Sequence, residues 1–497
     1  MKNKIYISAG VPGSGKTEEL LRQAKKWIFL GRKLVLAVPT LKLIDEIVSR
    51  CSKLELQCFP ICGEATTGRR VQLLEESLQN GRDFIITTHA AIMEIDPKTF
   101  GNYIVVFDEL PQVVSVECSN VRQADLDSLL VNLAYDNCRL ELIAEKKAHA
   151  LKLHKSYSRA SVSSRAGTAC SKLEFRIYDC LLHNGCTLVR PYNSRDEYNI
   201  ATAKVTDFFE RIRFANEVHI LTATLAGGVF HTIALAKGFR FEPSRFCPPE
   251  HAYQSQVTLY PLCTTKWSRA KALTTTNGEM LADHSGKGNQ YIDKMIAAAH
   301  HNNGSKPMLL FCNHWLKKKT VSQYIDLQVC PGDNRGINAY DTYSAAVLVY
   351  SGQPSPHHVP ALRLLEENLS IPRGKLLEAW RVTEKLERAL QDVTRTAIRK
   401  NDNEQSIDLY VQDEEVCTYL IRNCMPNAKV DYSIATPSPV ADREPSETAK
   451  RDMLARELID THHRSGKDKA FIINTLTAAG FAQSTAYKKY KLYTATC

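Results

Sequence analysis

The sequence predicts an α/β protein with two parallel-sheet domains, a helical insertion in the first, and a small helical module at residues 449–497. Three observations lead there. Short apolar runs alternate with amphipathic, helix-length segments from residue 1 to about 115, and again from Val257 onward. Strands separated by helices in this way form parallel sheets covered on both faces. The segment Gly10-Val-Pro-Gly-Ser-Gly15-Lys16-Thr17 stands between an apolar run and a helix-like stretch, which is the setting of a phosphate-binding loop. Finally, the end of the chain reads as helix, glycine turn, helix.

A chain of 497 residues exceeds what one hydrophobic core serves, so several domains are expected. At 44% hydrophobic and 24% charged the composition is globular and excludes a disordered chain. The net charge of +10 suits a polyanionic partner, although a basic surface also serves solubility alone. The 15 cysteines are scattered, and Cys58-x-x-x-Cys62 has no second pair at zinc-site spacing. Free thiols in a reducing, cytoplasmic setting are the expectation. Neither a signal-peptide core nor an apolar run long enough for a membrane span is read in the sequence, so no membrane partner is expected.

The expected strands of domain 1 (residues 1–250) are Ile5–Ala9, Leu34–Val38, Phe84–Thr88 and Tyr103–Phe107, with helices such as Leu41–Leu54 and Arg69–Asn80 between them. Residues 118–215 read as helical or irregular, with a Ser/Arg-rich stretch at 156–165: an inserted helical subdomain or lid, or a plain surface insertion. Val218–Thr222 then resumes the sheet. In domain 2 (residues 251–426) the clearest strands are Pro307–Cys312 and Ala345–Tyr350. Residues 427–448, rich in Pro, Ser, Asp and Glu, read as a linker.

The chemistry concentrates in two places. In the glycine loop, Gly10, Pro12, Gly13, Ser14 and Gly15 are the candidate nucleotide contacts, the glycines letting backbone N–H groups close around phosphate oxygens. Lys16 would reach the β/γ-phosphates, and the Thr17 hydroxyl would ligate magnesium. The apolar run Ile104–Phe107 ends in Asp108-Glu109, the pair an NTPase needs opposite that loop. Asp108 would hold the metal and Glu109 would orient or deprotonate the attacking water.

With these two sites in place the chain resembles superfamily 2 helicases of the DEAD/DEAH-like kind, whose two RecA-like domains close on ATP. Gly10–Thr17 resembles motif I, and Asp108-Glu-Leu-Pro111 resembles motif II, with Leu-Pro in place of the usual final pair. Val38-Pro-Thr40 is similar to motif Ia, and Thr87-Thr-His89 to a later nucleic-acid-contacting motif; Thr40, Thr87 and Thr88 are the contacts implied. Thr222-Ala-Thr224 resembles motif III, which couples hydrolysis to domain movement. Asn334-Arg-Gly336-Ile-Asn338 resembles motif V, implying Gly336 near phosphate and Asn338 on the track. Gln391–Arg399 resembles motif VI, with Thr394 at the family's glycine and the second arginine one place late. On a helix, Arg395 and Arg399 at i,i+4 would share a face, and either is a candidate arginine finger. Taken singly, Thr222–Thr224 also reads as a plain strand end, and Gln391–Arg399 as a solvated basic face.

In the tail, Asp468–Ala478 and Ser484–Tyr493 are expected helices, with Ser484 as N-cap of the second. The outline resembles resolvase-type helix-turn-helix modules. Ser484, Thr485 and Tyr487 would then open the recognition helix, and Lys488 and Lys489 would meet phosphates. The alternative is a helical hairpin packed on the motor. The pairs His300-His301, His357-His358 and His462-His463 read as surface residues.

The expected function is therefore an ATP- and Mg2+-dependent DNA helicase or translocase. Its implied partners are DNA and replication proteins, in phage or plasmid replication. An RNA helicase, a duplex translocase serving a nuclease, and an ATP-switched DNA-binding regulator are the alternatives; Asp108-Glu109 argues against the last, because a switch needs no catalytic carboxylate.

Overall fold

A computed structural model describes residues 3–494 except 63–68, 137, 164–168, 192–196, 250, 273–290, 314–325, 331–339, 401–402, 437–450, 452–453, 456, 460 and 463–466. Domain 1 begins with β1 (Lys4–Ala9), β2 (Lys33–Val38), β3 (Phe59–Pro60), β4 (Phe84–Thr88) and β5 (Tyr103–Asp108). An insertion follows with β6 (Val114–Arg122), β7 (Leu133–Asp136), β8 (Arg139–Leu142), β9 (Cys186–Pro191) and β10 (Glu197–Val205). The chain returns as β11 (Glu217–Thr222) and β12 (Arg240–Pro243), completing a seven-stranded sheet of order β12-β1-β11-β5-β2-β4-β3.

Every pairing in that sheet is parallel. Its central strands are apolar throughout because helices cover both faces: Leu34–Val38 are at most 1% exposed. The order places β1, β11 and β5 side by side, with Ala9 opposite Thr222 and Leu221 opposite Asp108. The glycine loop, Asp108 and Thr222 therefore leave the sheet at one carboxyl edge, where open α/β sheets bind ligands.

The insertion departs from the helical expectation. It is a five-stranded antiparallel sheet, order β6-β10-β9-β8-β7, carrying the helices Lys147–Ser163 and Ala169–Leu182. The long β6–β10 pairing, from Val114 opposite Val205 to Arg122 opposite Glu197, organises it. Both faces are buried: Ile200 and Val189 join a core with Ile177 and Tyr178, while Ala201 and Leu188 join the core of domain 1. Strands buried on both sides and made of small residues lack the clean alternation that marks a sheet in sequence.

Domain 2 is a six-stranded parallel sheet of β13 (Val257–Cys263), β14 (Met308–Phe311), β15 (Leu327–Val329), β16 (Ala345–Leu348), β17 (Ile407–Asp413) and β18 (Lys429–Val430), in the order β15-β14-β16-β17-β13-β18. Strand β18 lies at the start of the expected linker: Lys429 and Val430 pair with Thr258 and Leu259, so this stretch is a sheet edge. Residues 437–448 of that linker lie outside the described residues. The helices His358–Asn368 and Lys375–Arg381, although within domain 2 in sequence, bury Leu362, Leu365, Leu376 and Ala379 against domain 1.

In the tail, Asp468 caps the helix Lys469–Ala478 through the Phe471 N–H (2.8 Å), and Gly480 (φ +87°) makes the turn. The last helix runs Gln483–Thr494, so Ser484 sits inside its first turn and is not the cap. Ile472, Leu476, Phe481 and Ala486 form a small core of their own with Ala455 and Ile459. Among the described residues no helix is long and apolar enough to cross a membrane.

Candidate nucleotide site

The glycine loop has the backbone that its residue types allow. Gly13 (φ +88°) and Gly15 (φ +80°) occupy the left-handed region, and Gly15 precedes the helix Lys16–Phe29. A Cβ at Gly10 would lie 2.8 Å from Ser14 Oγ and 3.3 Å from Pro248 Cγ, so a side chain there would displace the Ser14 hydroxyl. Lys16 Nζ donates to the carbonyls of Gly10 (2.5 Å) and Val11 (3.0 Å), inside the loop. Tyr253, from the segment entering domain 2, donates its hydroxyl to Pro12 O at 2.7 Å and clamps the loop from outside. No sequence motif marked Tyr253.

Opposite the loop, Thr17 Oγ1 donates to Asp108 Oδ2 at 3.2 Å. Burial drives the electrostatics. It lowers the Lys16 ammonium to about 8, against the upward pull of Asp108 and Glu109, and raises the Asp108 carboxyl against the stabilising effect of Lys16 and Thr17. Glu109 has φ +73° and donates its N–H to Leu221 O (2.9 Å). A non-glycine residue in the left-handed region costs energy, and here it fixes where the second carboxylate leaves β5.

The far wall comes from domain 2, by a different route from the expected one. The helix Arg388–Val393 ends before the arginines, and Ala397–Arg399 is a separate 3-10 turn. Arg395 and Arg399 therefore do not share a helical face. Thr394 turns its hydroxyl back to Leu390 O (2.8 Å), which helps stop the helix. Both arginines still reach the cleft: Arg395 Nη2 is 3.9 Å from Glu109 Oε1, and a Cβ at Gly13 would meet Arg399 Cγ at 3.0 Å. Together with Lys16, Thr17, Asp108 and Thr222 they line a cavity of about 540 Å³. The loop N–H groups and Lys16 suit phosphate oxygens, and the Thr17 hydroxyl and buried Asp108 carboxylate are hard oxygen donors, so together they fit a nucleoside triphosphate with magnesium.

The remaining expected residues divide. Thr222 Oγ1 donates to Thr224 O (2.7 Å), and Thr224 Oγ1 to Glu387 of domain 2 (3.1 Å). Thr40 is half-buried ahead of the helix Leu41–Lys53, and Thr88 Oγ1 caps the turn His89–Ile92 at Ala91 N (3.2 Å). Thr87 has a fully buried side chain, so that side chain is not available to a nucleic acid; both faces of β4 are covered. Gly336 and Asn338 lie outside the described residues. In the tail Ser484, Thr485, Tyr487 and Lys488 are exposed, Lys489 is half-buried, and Ala486 faces the small core. Of the histidines, His301 and His357 are exposed, while His300, His358 and His462 are half-buried.

Fold and site together define a protein of two RecA-like α/β domains, with a phosphate-binding loop and an acidic pair on the first facing two arginines of the second. Among solved structures the chain is similar to Xpd4 of S. tokodaii (12% identity, 86% of this chain and 96% of that one, TM-score 0.46). It is also similar to an XPD helicase (11%, 87% and 96%, 0.48) and to a Dbp5 variant of S. cerevisiae bound to RNA and ADP BeF3 (9%, 88% and 86%, 0.34). No protein-family model matches the chain, and no curated protein matches it significantly.

Proposed function

We propose that the chain is an ATP-dependent DNA helicase or translocase. The observation that carries this is the cavity of about 540 Å³ in which Lys16, Thr17, Asp108 and Glu109 of domain 1 face Arg395 and Arg399 of domain 2. A site split between two domains ties hydrolysis to their relative movement, which a simple nucleotide switch within one domain does not need.

Bound nucleotide with magnesium supplies the phosphoanhydride and the charge that holds it. Lys16 and the loop N–H groups would hold the phosphates, and Thr17 and Asp108 the metal. Glu109 takes the proton of the attacking water. Arg399, packed on the loop at Gly13, neutralises charge on the transferred group, and Arg395 holds Glu109 in place. Thr40 and Thr88, with Asn338, are the proposed track contacts.

DNA is the favoured track because of the tail, whose exposed helix face carries Ser484, Thr485, Tyr487 and Lys488. Replication in a phage or plasmid, in the cytoplasm and with replication proteins as partners, is the setting we infer. The test is the hydrolysis rate of purified protein with no nucleic acid, single-stranded DNA, duplex DNA or RNA. Stimulation by DNA, abolished by Lys16→Ala, is expected; equal rates in all four conditions would rule out a motor.

A further inference from the structure

A continuous helical rod runs from Lys375 to Val393, with a π-helical segment, Val382–Glu387, in its middle. Its first half buries Leu376 and Ala379 in the core of domain 1; its second half buries Leu386, Leu390 and Val393 in that of domain 2. Lys385, with a fully buried side chain, is paired with Asp413 (2.6 Å) and Glu415 (2.9 Å), which fastens the rod to the end of β17. A π segment adds a residue to one turn and so changes which side chains face which neighbour; such segments cluster at functional sites.

Glu387, at the end of that segment, is the acceptor for two hydroxyls that bridge the domains. Thr224 Oγ1 donates to its Oε1 at 3.1 Å and accepts from the Tyr419 hydroxyl at 3.2 Å. Thr383 donates to the same carboxylate and accepts the Val229 N–H of domain 1 at 3.0 Å. Gly228 allows this approach: a Cβ there would stand 3.0 and 3.1 Å from the two carboxylate oxygens. On one side the chain of contacts continues through the Thr224 carbonyl to Thr222, in the wall of the nucleotide cavity. On the other, the rod ends two residues before Arg395, which faces Glu109.

We propose that Glu387 is a positioning residue that couples the nucleotide cavity to domain closure, its carboxyl group latching the end of β11 to the rod that places Arg395. This rests on the nucleotide-driven reading above. Lys385 keeps the second half of the rod on domain 2, so the Thr224–Glu387 contact, with Val229–Thr383 and Tyr419–Thr224 beside it, parts when the cleft opens. The charge state sets the latch. As an acid Glu387 keeps an oxygen that accepts from the threonines; as a carboxylate it must also hold a buried charge, which disfavours the closed arrangement. Burial raises this carboxyl to about 7, and Glu384 adds to the rise. Arg388, Asp392 and Arg395 on the domain 2 side, Glu109 across the adjoining cavity, and Tyr419 from the neighbouring helix are the other ionisable groups around it.

Closure is read without turnover, as the contraction in X-ray scattering when a non-hydrolysable ATP analogue and magnesium are added to the full chain. Wild type contracts at pH 6 and less at pH 8. Glu387→Ala and Thr224→Val each require about tenfold more analogue, and the double variant no more than either single one, as for residues in one contact. Glu387→Gln, which keeps the acceptor for Thr224, restores most of the contraction and removes its pH dependence. Unchanged closure in Glu387→Ala, multiplied effects in the double variant, or a wild type that does not contract would each overturn the coupling role. A wild type that contracts as expected but hydrolyses ATP equally with and without nucleic acid upholds the latch and rejects the motor.

Discussion

Arg395 and Glu109 face each other across the domain boundary, Nη2 to Oε1 at 3.9 Å, with the arginine side chain only 7% exposed. A buried cation supplied by one domain thus stands beside a carboxylate supplied by the other, while Arg399 contacts the phosphate loop four residues further along the chain. The two arginines therefore have separate tasks. Arg399→Ala is expected to lower kcat by roughly 10³, the scale of a lost arginine finger. Arg395→Ala should cost roughly 10²-fold, the scale of a general base left out of place. In a Glu109→Gln background the Arg395 loss should vanish, because the residue it positions has gone. Steady-state hydrolysis of the single and double variants measures this, and fully multiplicative losses would refute the assignment.

The loop glycines give a second expectation. Both Gly13 and Gly15 have positive φ, but an added Cβ meets Arg399 at 3.0 Å only at Gly13 and nothing within 4 Å at Gly15. Each alanine substitution should bring backbone strain of about 1–2 kcal/mol. Gly13→Ala should in addition displace Arg399, lowering kcat well beyond the effect of Gly15→Ala. Thermal melting reads the common strain and kinetics read the difference; equal kcat values would separate Arg399 from the loop.

These contrasts show where sequence reasoning succeeds. The loop and Asp108-Glu109 were legible because local chemistry constrains them: glycines at forced backbone positions, and acids at the end of an apolar strand. The insertion sheet was obscured because β10, Ile200-Ala-Thr-Ala-Lys-Val205, is buried on both faces and made largely of small residues. Glu387 carries no motif, standing in the charge-rich stretch Glu384-Lys-Leu-Glu-Arg388; a π turn and a neighbouring domain bury it. The stop after Val393 was hidden for a similar reason, since no glycine or proline marks it and the Thr394 hydroxyl contributes through the backbone.

Glu387 also predicts a pH dependence of stability. Its carboxyl is raised to about 7 in the folded chain, so folded protein holds a proton that unfolded protein releases above the ordinary glutamate range. The sign follows: this group's contribution is intact below about pH 4, declines as pH rises through about 7, and stays lost above it, a change of roughly 3 kcal/mol. Glu387→Gln removes that decline. The variant should melt several degrees higher than wild type at pH 8, with the gap closing toward pH 5. A gap of opposite sign, or one independent of pH, would show that burial does not govern this carboxyl.

The tail yields the last expectation. Its helix Gln483–Thr494 exposes Thr485, Tyr487 and Lys488 while Ala486 is buried in a core that belongs to the tail alone. Substitution on the exposed face should therefore leave both the small core and the nucleotide cleft intact. Lys469 stands 4.3 Å over the Tyr487 ring and donates to its hydroxyl at 3.1 Å, adding a further positive charge to this face. Each lysine that meets a phosphate contributes about 0.9 to the slope of log affinity against log salt. Lys488→Ala combined with Lys489→Ala should lower duplex affinity for every sequence and reduce that slope by about 2. Thr485→Ala or Tyr487→Ala should instead narrow the difference between preferred and random duplexes, with the slope unchanged. Basal ATP hydrolysis should stay at the wild-type rate in all three variants. Unaltered duplex binding in the lysine pair would make this module a packing hairpin and not a reader of DNA.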